Sequence, residues 1–284
     1  MKSITTLLLM FLTTVSSFAE ISNTEKTALV KLYNATKGSQ WTNKWDLKTP
    51  VTSWYGVNIQ NDQVTGINLS DNNLSGVLPN ELFSLVHLQE LNLFKNSISG
   101  TIPASISNMK ALKKLNLGFN QITGSIPTSI GDVKTLESLE LYMNRISGTL
   151  PDSLGNLTQL QTLSLFNNEI EGQIPSSLYQ LKSLKFLLLN SNKLTGVLSR
   201  DVSNLTSLEI LSLFENNFEG QVPFDLEKLK NLKEMNISYN MFNGLVSKNL
   251  AKLDTLNMTM INDKGVASTL KVNIDKNSAL ANDE

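Results

Sequence analysis

A period of 24 residues constrains the fold of this chain more than any other feature. Residues 64–255 divide into eight such units without insertion or deletion. The fourth and sixth positions of every unit are apolar, as Leu91 and Leu93 are in the second unit, residues 88–111. Alternation of this kind predicts a short strand with one buried side. A unit of this length can bury that side only against its neighbours, so the sequence predicts stacked coils that share one core.

The ninth position of the unit is asparagine in all eight copies: Asn72, Asn96, Asn120, Asn144, Asn168, Asn192, Asn216 and Asn240. A polar side chain placed so regularly among buried neighbours must have hydrogen-bond partners, because unpaired burial is costly. An amide offers both donors and an acceptor. These residues are therefore predicted to form a structural ladder that bonds open backbone groups of the coils, and not a binding site.

Glycine and proline mark the turns of each unit. Position 13 is Gly in every unit, and position 16 is Pro in six of the eight. Gly tolerates backbone conformations that a side chain disfavours, and Pro fixes one dihedral angle and has no N–H group. The two positions predict a turn that leads from the strand into a short helical segment.

This order of residues, LxxLxLxxNxLxGxIPxxLxxLxx, resembles the leucine-rich repeat. It matches the 24-residue subtype typical of plant receptor-kinase ectodomains and polygalacturonase-inhibiting proteins. The resemblance implies an α/β solenoid: a right-handed, curved superhelix with a concave parallel β-sheet, short 3-10 segments on the convex side and a cap at each end. It supports binding as the activity without supplying the ligand, because a fold alone does not fix a function.

Residues 20–63 are predicted to cap the N-terminal end of the solenoid. Ser22 followed by Glu25 fits a capping box at the start of a helix. Trp41, Trp45 and Trp54 then supply the large apolar area that a lid over the first coil requires.

The segment Trp-Tyr-Gly-Val that begins at Trp54 resembles an element of the N-terminal cap in plant-type repeat proteins. Those caps carry a pair of cysteines, whereas this chain has no cysteine. The sequence is therefore identified as a cysteine-free relative of the kind found in secreted bacterial proteins, particularly of Bacteroidota.

Residues 256–284 are predicted to cap the C-terminal end. Apolar residues alternate over 256–260 and again over 270–274, on either side of a polar turn. This pattern predicts a β-hairpin that covers the last coil. The polar residues 276–284 are predicted to be a frayed tail.

Residues 1–19 are predicted to be a signal peptide. Lys2 gives a positive start, residues 4–15 are largely apolar, and Ala19 is a small residue suited to cleavage. The apolar run is shorter than the roughly 20 residues that a membrane span needs. The mature chain is expected to have no membrane span and to be secreted, displayed at the cell surface or periplasmic.

Composition and residue types argue against catalysis and against nucleic acid as a partner. With 24 basic and 25 acidic residues the chain lacks the basic field that nucleic acid attracts. His87 is the only histidine, there is no thiolate ligand, and no carboxylate pair stands out as an acid and a base. The glycines follow the 24-residue period and do not form a phosphate-binding loop. No enzyme activity, cofactor or metal is expected.

The candidate binding residues lie at strand positions that point away from the core. Position 7 carries aromatic residues in four units and is interrupted by Gly118 and Asn190. The predicted surface consists of Phe94, Phe119, Tyr142, Met143, Phe166, Phe186, Leu188, Ile210, Phe214 and Tyr239. Exposed clusters of aromatic residues are typical of protein interfaces. Neighbouring rings on a sheet also stabilise it by packing on each other, so both interpretations stand.

Two functions are consistent with these observations. The first is a secreted module that binds a protein or peptide, or a glycan, on its concave face. The alternative is a structural or adhesive component of the cell surface or extracellular space, whose repeats serve assembly and whose concave face is inert.

Overall fold

The computed structural model describes residues 21–254, 256, 258–262 and 264–273. The predicted signal peptide and the predicted frayed tail lie outside the described residues. The fourth position of each repeat lies in a nine-stranded sheet, called the first sheet below. Its strands are Val57–Gln60, Gln63–Asn68, Glu90–Asn92, Lys114–Asn116, Ser138–Glu140, Thr162–Ser164, Phe186–Leu188, Ile210–Ser212 and Glu234–Asn236.

The strands of the first sheet pair in register. Leu91 pairs with Ile67 on one side and with Leu115 on the other, and the pairing is parallel throughout the repeats. Only Val57–Gln60, in the N-terminal cap, runs antiparallel to its neighbour. Because every unit has the same length, equivalent residues of neighbouring coils lie side by side. The solenoid fold that the sequence predicts is confirmed.

A second parallel sheet, which the sequence analysis did not predict, runs along the same coils. Its strands are Ser75–Val77, Ser97–Gly100, Gln121–Gly124, Arg145–Thr149, Glu169–Gly172, Lys193–Val197, Asn217–Gln221 and Met241–Asn243. Position 11 is buried between exposed neighbours, as Ile122 is between Gln121 and Thr123. That alternation is a strand signal, but it is short and ends at the glycine of position 13, which has a positive φ in every repeat.

Seven of the repeats continue into a short 3-10 helix. The bounds are Asn80–Ser84, Ala104–Asn108, Thr128–Asp132, Asp152–Asn156, Ser176–Gln180, Arg200–Asn204 and Phe224–Lys228. Proline precedes six of these helices, for example Pro127 with a φ of −67°. Where Ser199 replaces the proline, its side chain instead accepts a hydrogen bond from the backbone N–H of Asp201. The eighth repeat has the α-helix Lys248–Ala251 in this place.

The asparagine column lies beside the apolar core and joins successive coils. The Asn96 amide donates to the carbonyls of Leu69, Leu93 and Phe94, at 2.9, 2.9 and 3.2 Å. Its Oδ1 atom accepts from the backbone N–H of Leu74 at 2.9 Å. From Asn96 to Asn240 each such side chain satisfies backbone groups of two coils, whereas Asn72 bonds Asn43 of the N-terminal cap. Each satisfied group avoids a desolvation cost of about 1–3 kcal/mol.

The N-terminal cap begins with the helix Asn23–Ala35. Ser22 and Glu25 form the predicted capping box, and the other carboxylate oxygen of Glu25 accepts from the backbone N–H of Val64 at 3.0 Å. A single side chain therefore starts the helix and joins it to the first repeat.

Three tryptophans fill the space between this helix and the first coil. Trp41, Trp45 and Trp54 are all buried, with ring centroids 4.9 Å apart for Trp41 and Trp45 and 4.7 Å apart for Trp45 and Trp54. Each indole N–H donates to a backbone carbonyl. The rings thus cover the first coil without leaving a buried donor unpaired.

The C-terminal hairpin is shorter than the pattern over 256–260 and 270–274 predicts. Its strands are Thr259–Ile261 and Ala267–Thr269, whereas Lys271–Asn273 pairs in parallel with Leu245–Ser247. The buried Asp254 ends the first sheet, because its carboxylate accepts from the backbone N–H of Ile237, at 2.9 Å, and of later residues in the cap. The last strand is thereby closed by a side chain.

Candidate binding surface

The residues proposed from the sequence lie on the open face of the first sheet. Phe186 and Leu188 are half-buried on either side of the buried Leu187, and Ile210 is half-buried next to a buried leucine. Phe94, Tyr142, Met143, Phe166 and Phe214 are also half-buried. Phe119 and Tyr239 are the most exposed of the ten, each at 42%. None of the ten belongs to the core.

Six of the rings form two clusters on this face. Phe94, Phe119, Tyr142 and Phe166 make the first cluster, in which the rings of Tyr142 and Phe166 stack with centroids 4.6 Å apart. Phe214 and Tyr239 make the second, with centroids 5.1 Å apart. Contacts of this kind contribute about 0.5–1.5 kcal/mol each beyond the burial of area. The rings therefore stabilise the sheet and still present apolar surface to solvent.

Gly118 does not interrupt the first cluster, although it interrupts the aromatic column in the sequence. A Cβ atom at Gly118 would lie 2.8 Å from Cζ of Tyr142. The Tyr142 ring thus lies over the glycine and reaches Phe94, two strands away, at a centroid distance of 6.0 Å. The missing side chain is what allows the contact.

Position 8 of every repeat has a left-handed backbone. The φ angles lie between 51° and 58° for Asp71, Lys95, Phe119, Met143, Asn167, Ser191, Glu215 and Tyr239. Asparagine and glycine tolerate this conformation best, and a bulky residue costs about 1 kcal/mol or more there. The two most exposed rings of the surface, Phe119 and Tyr239, therefore lie where the backbone disfavours them.

The electrostatics of the face are mild. Burial raises the pKa of Tyr142 above its ordinary value, so its hydroxyl is neutral at physiological pH. Exposed ion pairs join successive repeats beside the sheets, such as Lys193 with Glu169 at 2.9 Å and Lys95 with Asp71 at 3.2 Å. The hydrogen bond from Lys193 lowers the pKa of Glu169. Glu90, Lys114 and Glu140 lie in the strands of the first sheet, so its open face carries charged side chains beside the aromatic rings.

The described residues also bear on metal binding and on membrane insertion. In this part of the chain no group of three or more histidine, aspartate or glutamate side chains could hold a metal ion. No helix there has both the length and the apolar character that crossing a membrane requires.

Family models of leucine-rich repeats match the chain from residue 63 to residue 273. The description "Leucine-rich repeat region" matches residues 141–273, and "Leucine rich repeat" matches residues 110–170. Two further models, "Leucine Rich repeats (2 copies)" and "Leucine Rich Repeat", match residues 86–130 and 63–85. The comparison with curated proteins gives no match.

Solved structures of plant receptor ectodomains are similar to this chain. The Arabidopsis receptor kinase HAESA, in complex with the peptide hormone IDA and the co-receptor SERK1, is 35% identical, with a TM-score of 0.66 over 75% of this chain and 35% of that one. The plant peptide hormone receptor RGFR1, in complex with RGF2, is 32% identical, with a TM-score of 0.64 over 72% of this chain and 32% of that one. This chain thus spans about a third of the length of these two receptor chains.

A shorter relative is covered almost completely. A chain of the Arabidopsis thaliana BIR3–SERK2 complex is 32% identical, with a TM-score of 0.51 over 59% of this chain and 93% of that one. Fold and similarity together define a repeat solenoid of the ectodomain type. The chain belongs to the leucine-rich-repeat proteins.

Proposed function

We propose that this protein is an exported recognition module that binds a protein or peptide on the open face of the first sheet, without catalysis. Export rests on the signal-peptide pattern of residues 1–19. We also place the chain in the 24-residue plant-type subtype, as a cysteine-free bacterial member, because its period is 24 throughout and it has no cysteine.

The observation that carries the proposal is the pair of exposed rings at strained positions. Phe119 and Tyr239 are each 42% exposed and have φ angles of 54° and 58°. Asparagine at these two positions would suit the backbone better and would expose less apolar area. Their ring contacts, with Phe94 and Tyr142 for Phe119 and with Phe214 for Tyr239, add to the stability of the sheet, and the apolar area that they leave exposed is available to a partner.

The relatives agree with this proposal. HAESA is described in complex with a peptide hormone, and RGFR1 is described as a peptide hormone receptor. Both are at least 32% identical to this chain. A protein or peptide ligand is therefore the first partner to test here.

The structural or adhesive alternative draws on the packing of the rings. Phe94, Tyr142 and Phe166 contact one another, so they contribute to the stability of the sheet whether or not a partner binds. Replacing these three would confuse loss of binding with loss of stability. Phe119 and Tyr239 also contact neighbouring rings, but asparagine suits the left-handed backbone at these two positions and offsets part of the lost contacts.

The experiment is a capture assay on the extracellular fraction of the source organism and its neighbours. Residues 20–284 serve as bait, as wild type, as the double variant Phe119→Asn/Tyr239→Asn and as the control Asp71→Asn, which changes position 8 of the first repeat. We expect a partner that the wild type and the control retain and that the double variant loses, while circular dichroism shows that the double variant is folded. Identical captures by all three baits, or capture of the chain itself only, would favour the structural alternative.

A further inference from the structure

The aromatic column of position 7 has a second interruption, at the half-buried Asn190, and within the described residues no ring contact bridges it. At Gly118 the ring of Tyr142 covers the interruption. At Asn190 the neighbours are Phe166 on one strand and Phe214 on the other, and each belongs to a different ring cluster. Within the described residues, no ring contact joins these two clusters.

The width of this opening suits one flat ring. Phe166 and Phe214 occupy equivalent positions two strands apart, and neighbouring strands lie about 4.8 Å apart, so the two positions are about 10 Å apart. Tyr142 and Phe166 already stack at 4.6 Å, the spacing of one strand. A ring from a partner, placed midway, would stack on Phe166 and Phe214 at about 5 Å from each.

The floor of the opening is apolar and shallow. Leu188 lies between the buried Ser164 and the half-buried Ser212 in the paired strands. Phe186 and Ile210 extend the apolar floor along the strands, and both are half-buried. The apolar area of Phe166, Leu188 and Phe214 suits an apolar ring as the occupant.

The rim supplies a hydrogen-bonding group and one charge. The Asn190 side-chain amide makes no hydrogen bond to the described part of the chain, unlike the amide of Asn116, which bonds its neighbours. Glu215 accepts a hydrogen bond from Ser191 at 2.7 Å and forms no ion pair with any described residue. A free amide suits a peptide backbone, and an unpaired carboxylate suits a cation.

We propose that this slot, formed by Phe166, Leu188, Asn190, Phe214 and Glu215, receives one aromatic side chain of a protein or peptide partner, with a basic residue next to it paired to Glu215. This slot rests on the proposed function, and it specifies the chemistry of the partner that the open face would bind. The partner's ring completes the aromatic column, its backbone bonds the Asn190 amide, and its basic group complements the one unpaired charge of the rim.

The test uses defined peptides and a variant that fills the slot from within. The probes are the capped pentapeptide Gly-Gly-Phe-Arg-Gly and its versions with Ala for Phe or Glu for Arg, and cellotetraose as the sugar. The chain has no cysteine, so Asn167→Cys, on the neighbouring strand, can carry a single trifluoromethyl label read by fluorine NMR. Asn190→Phe places a ring in the slot, and Ser70→Phe, the same change in the first repeat, is its matched control.

We expect the Phe-Arg peptide to shift the label and the Ala version to bind about tenfold more weakly or worse, as loss of one buried ring implies. The Glu version should bind about threefold more weakly, because Glu215 is exposed and an exposed ion pair contributes little. Asn190→Phe should lose this binding, and Ser70→Phe should keep it, with both variants folded by circular dichroism. Equal binding to Asn190→Phe, no shift with the Phe-Arg peptide, or a shift with cellotetraose alone would overturn the assignment.

The two proposals fail in different ways. A natural partner that depends on Phe119 and Tyr239 but is retained by Asn190→Phe would leave the proposed function standing and remove the slot. Peptide binding that depends on Asn190, in a protein whose open face captures no partner, would overturn the proposed function while the slot keeps its chemistry.

Discussion

Replacing Gly118 by alanine tests whether this glycine is kept for the ring that lies over it. The new Cβ atom would lie 2.8, 2.9 and 3.0 Å from three atoms of the Tyr142 ring, so the ring must move. The backbone itself accepts alanine, because Gly118 is not among the residues of positive φ. The cost therefore comes from the displaced ring alone.

The magnitude follows from the contacts that the ring gives up. Displacing Tyr142 disrupts its contacts with Phe94 and Phe119, at 6.0 and 5.9 Å, which contribute about 1 kcal/mol each. Alanine lowers the entropy of the unfolded chain and offsets about 0.5 kcal/mol of this. We expect Gly118→Ala to lower the free energy of unfolding by about 1.5 kcal/mol.

A double-mutant cycle tests whether the displaced Tyr142 ring causes this loss of stability. In a Tyr142→Ala background the new methyl group no longer meets the Tyr142 ring, so Gly118→Ala should stabilise the protein by about 0.5 kcal/mol, and the sign of its effect reverses. The assay is urea unfolding followed by far-UV circular dichroism and by fluorescence of the three cap tryptophans. Free energies are compared where the two transitions coincide, since stacked repeats do not always unfold in one step. The same loss of stability in both backgrounds would refute the reasoning.

Three further predictions concern the ladder, the cap and an ion pair. Asn144→Ala leaves the backbone N–H of Ile122 unpaired and should lower the free energy of unfolding in urea by about 3 kcal/mol. Asn190→Ala is the control: the Asn190 amide makes no hydrogen bond to the described part of the chain, so the free energy of unfolding should change by less than about 0.5 kcal/mol. Asp254→Ala removes the acceptor that ends the first sheet, so hydrogen exchange should rise first over 258–262 and 264–273; uniform exchange along the chain would contradict this. Lys228 and Arg200 lower the pKa of Asp225, so its contribution to stability is present above the ordinary pKa of aspartate and is lost as pH falls through the lowered folded-state pKa. Asp225→Asn should flatten the acid side of a plot of melting temperature against pH, and an unchanged slope would count against the ion pair.

The repeated columns were predictable because each was observed eight times. The apolar column that includes Leu91 and Leu115 fixes the parallel register, since any slip would bring polar residues into the core. The start of the N-terminal helix was readable from Ser22 and Glu25, because a capping box is a local pattern.

Features that depend on three-dimensional neighbours were missed. The second sheet was not predicted, because the alternation of buried and exposed residues in its strands is short and ends at the glycine of position 13. The left-handed backbone of position 8 was not predicted, because residues such as Lys95, Phe119 and Glu215 do not favour a positive φ angle. The contact between Tyr142 and Phe94 depends on a ring crossing a whole strand, and the sequence shows only a glycine in between. The return strand of the C-terminal hairpin was displaced because Lys271–Asn273 finds a partner in the eighth repeat.

The left-handed position 8 has a consequence for protein engineering. A designer who averages the repeats, or who seeks a higher melting temperature, would write asparagine into this column throughout. The resulting solenoid would be easier to fold, and it would lose both exposed rings, Phe119 and Tyr239, without any visible change of backbone. Under the proposed function, such idealisation would remove the contacts that Phe119 and Tyr239 supply at two of the eight positions. A library that varies position 8 alone would therefore sample new surfaces on a scaffold whose coils stay in register.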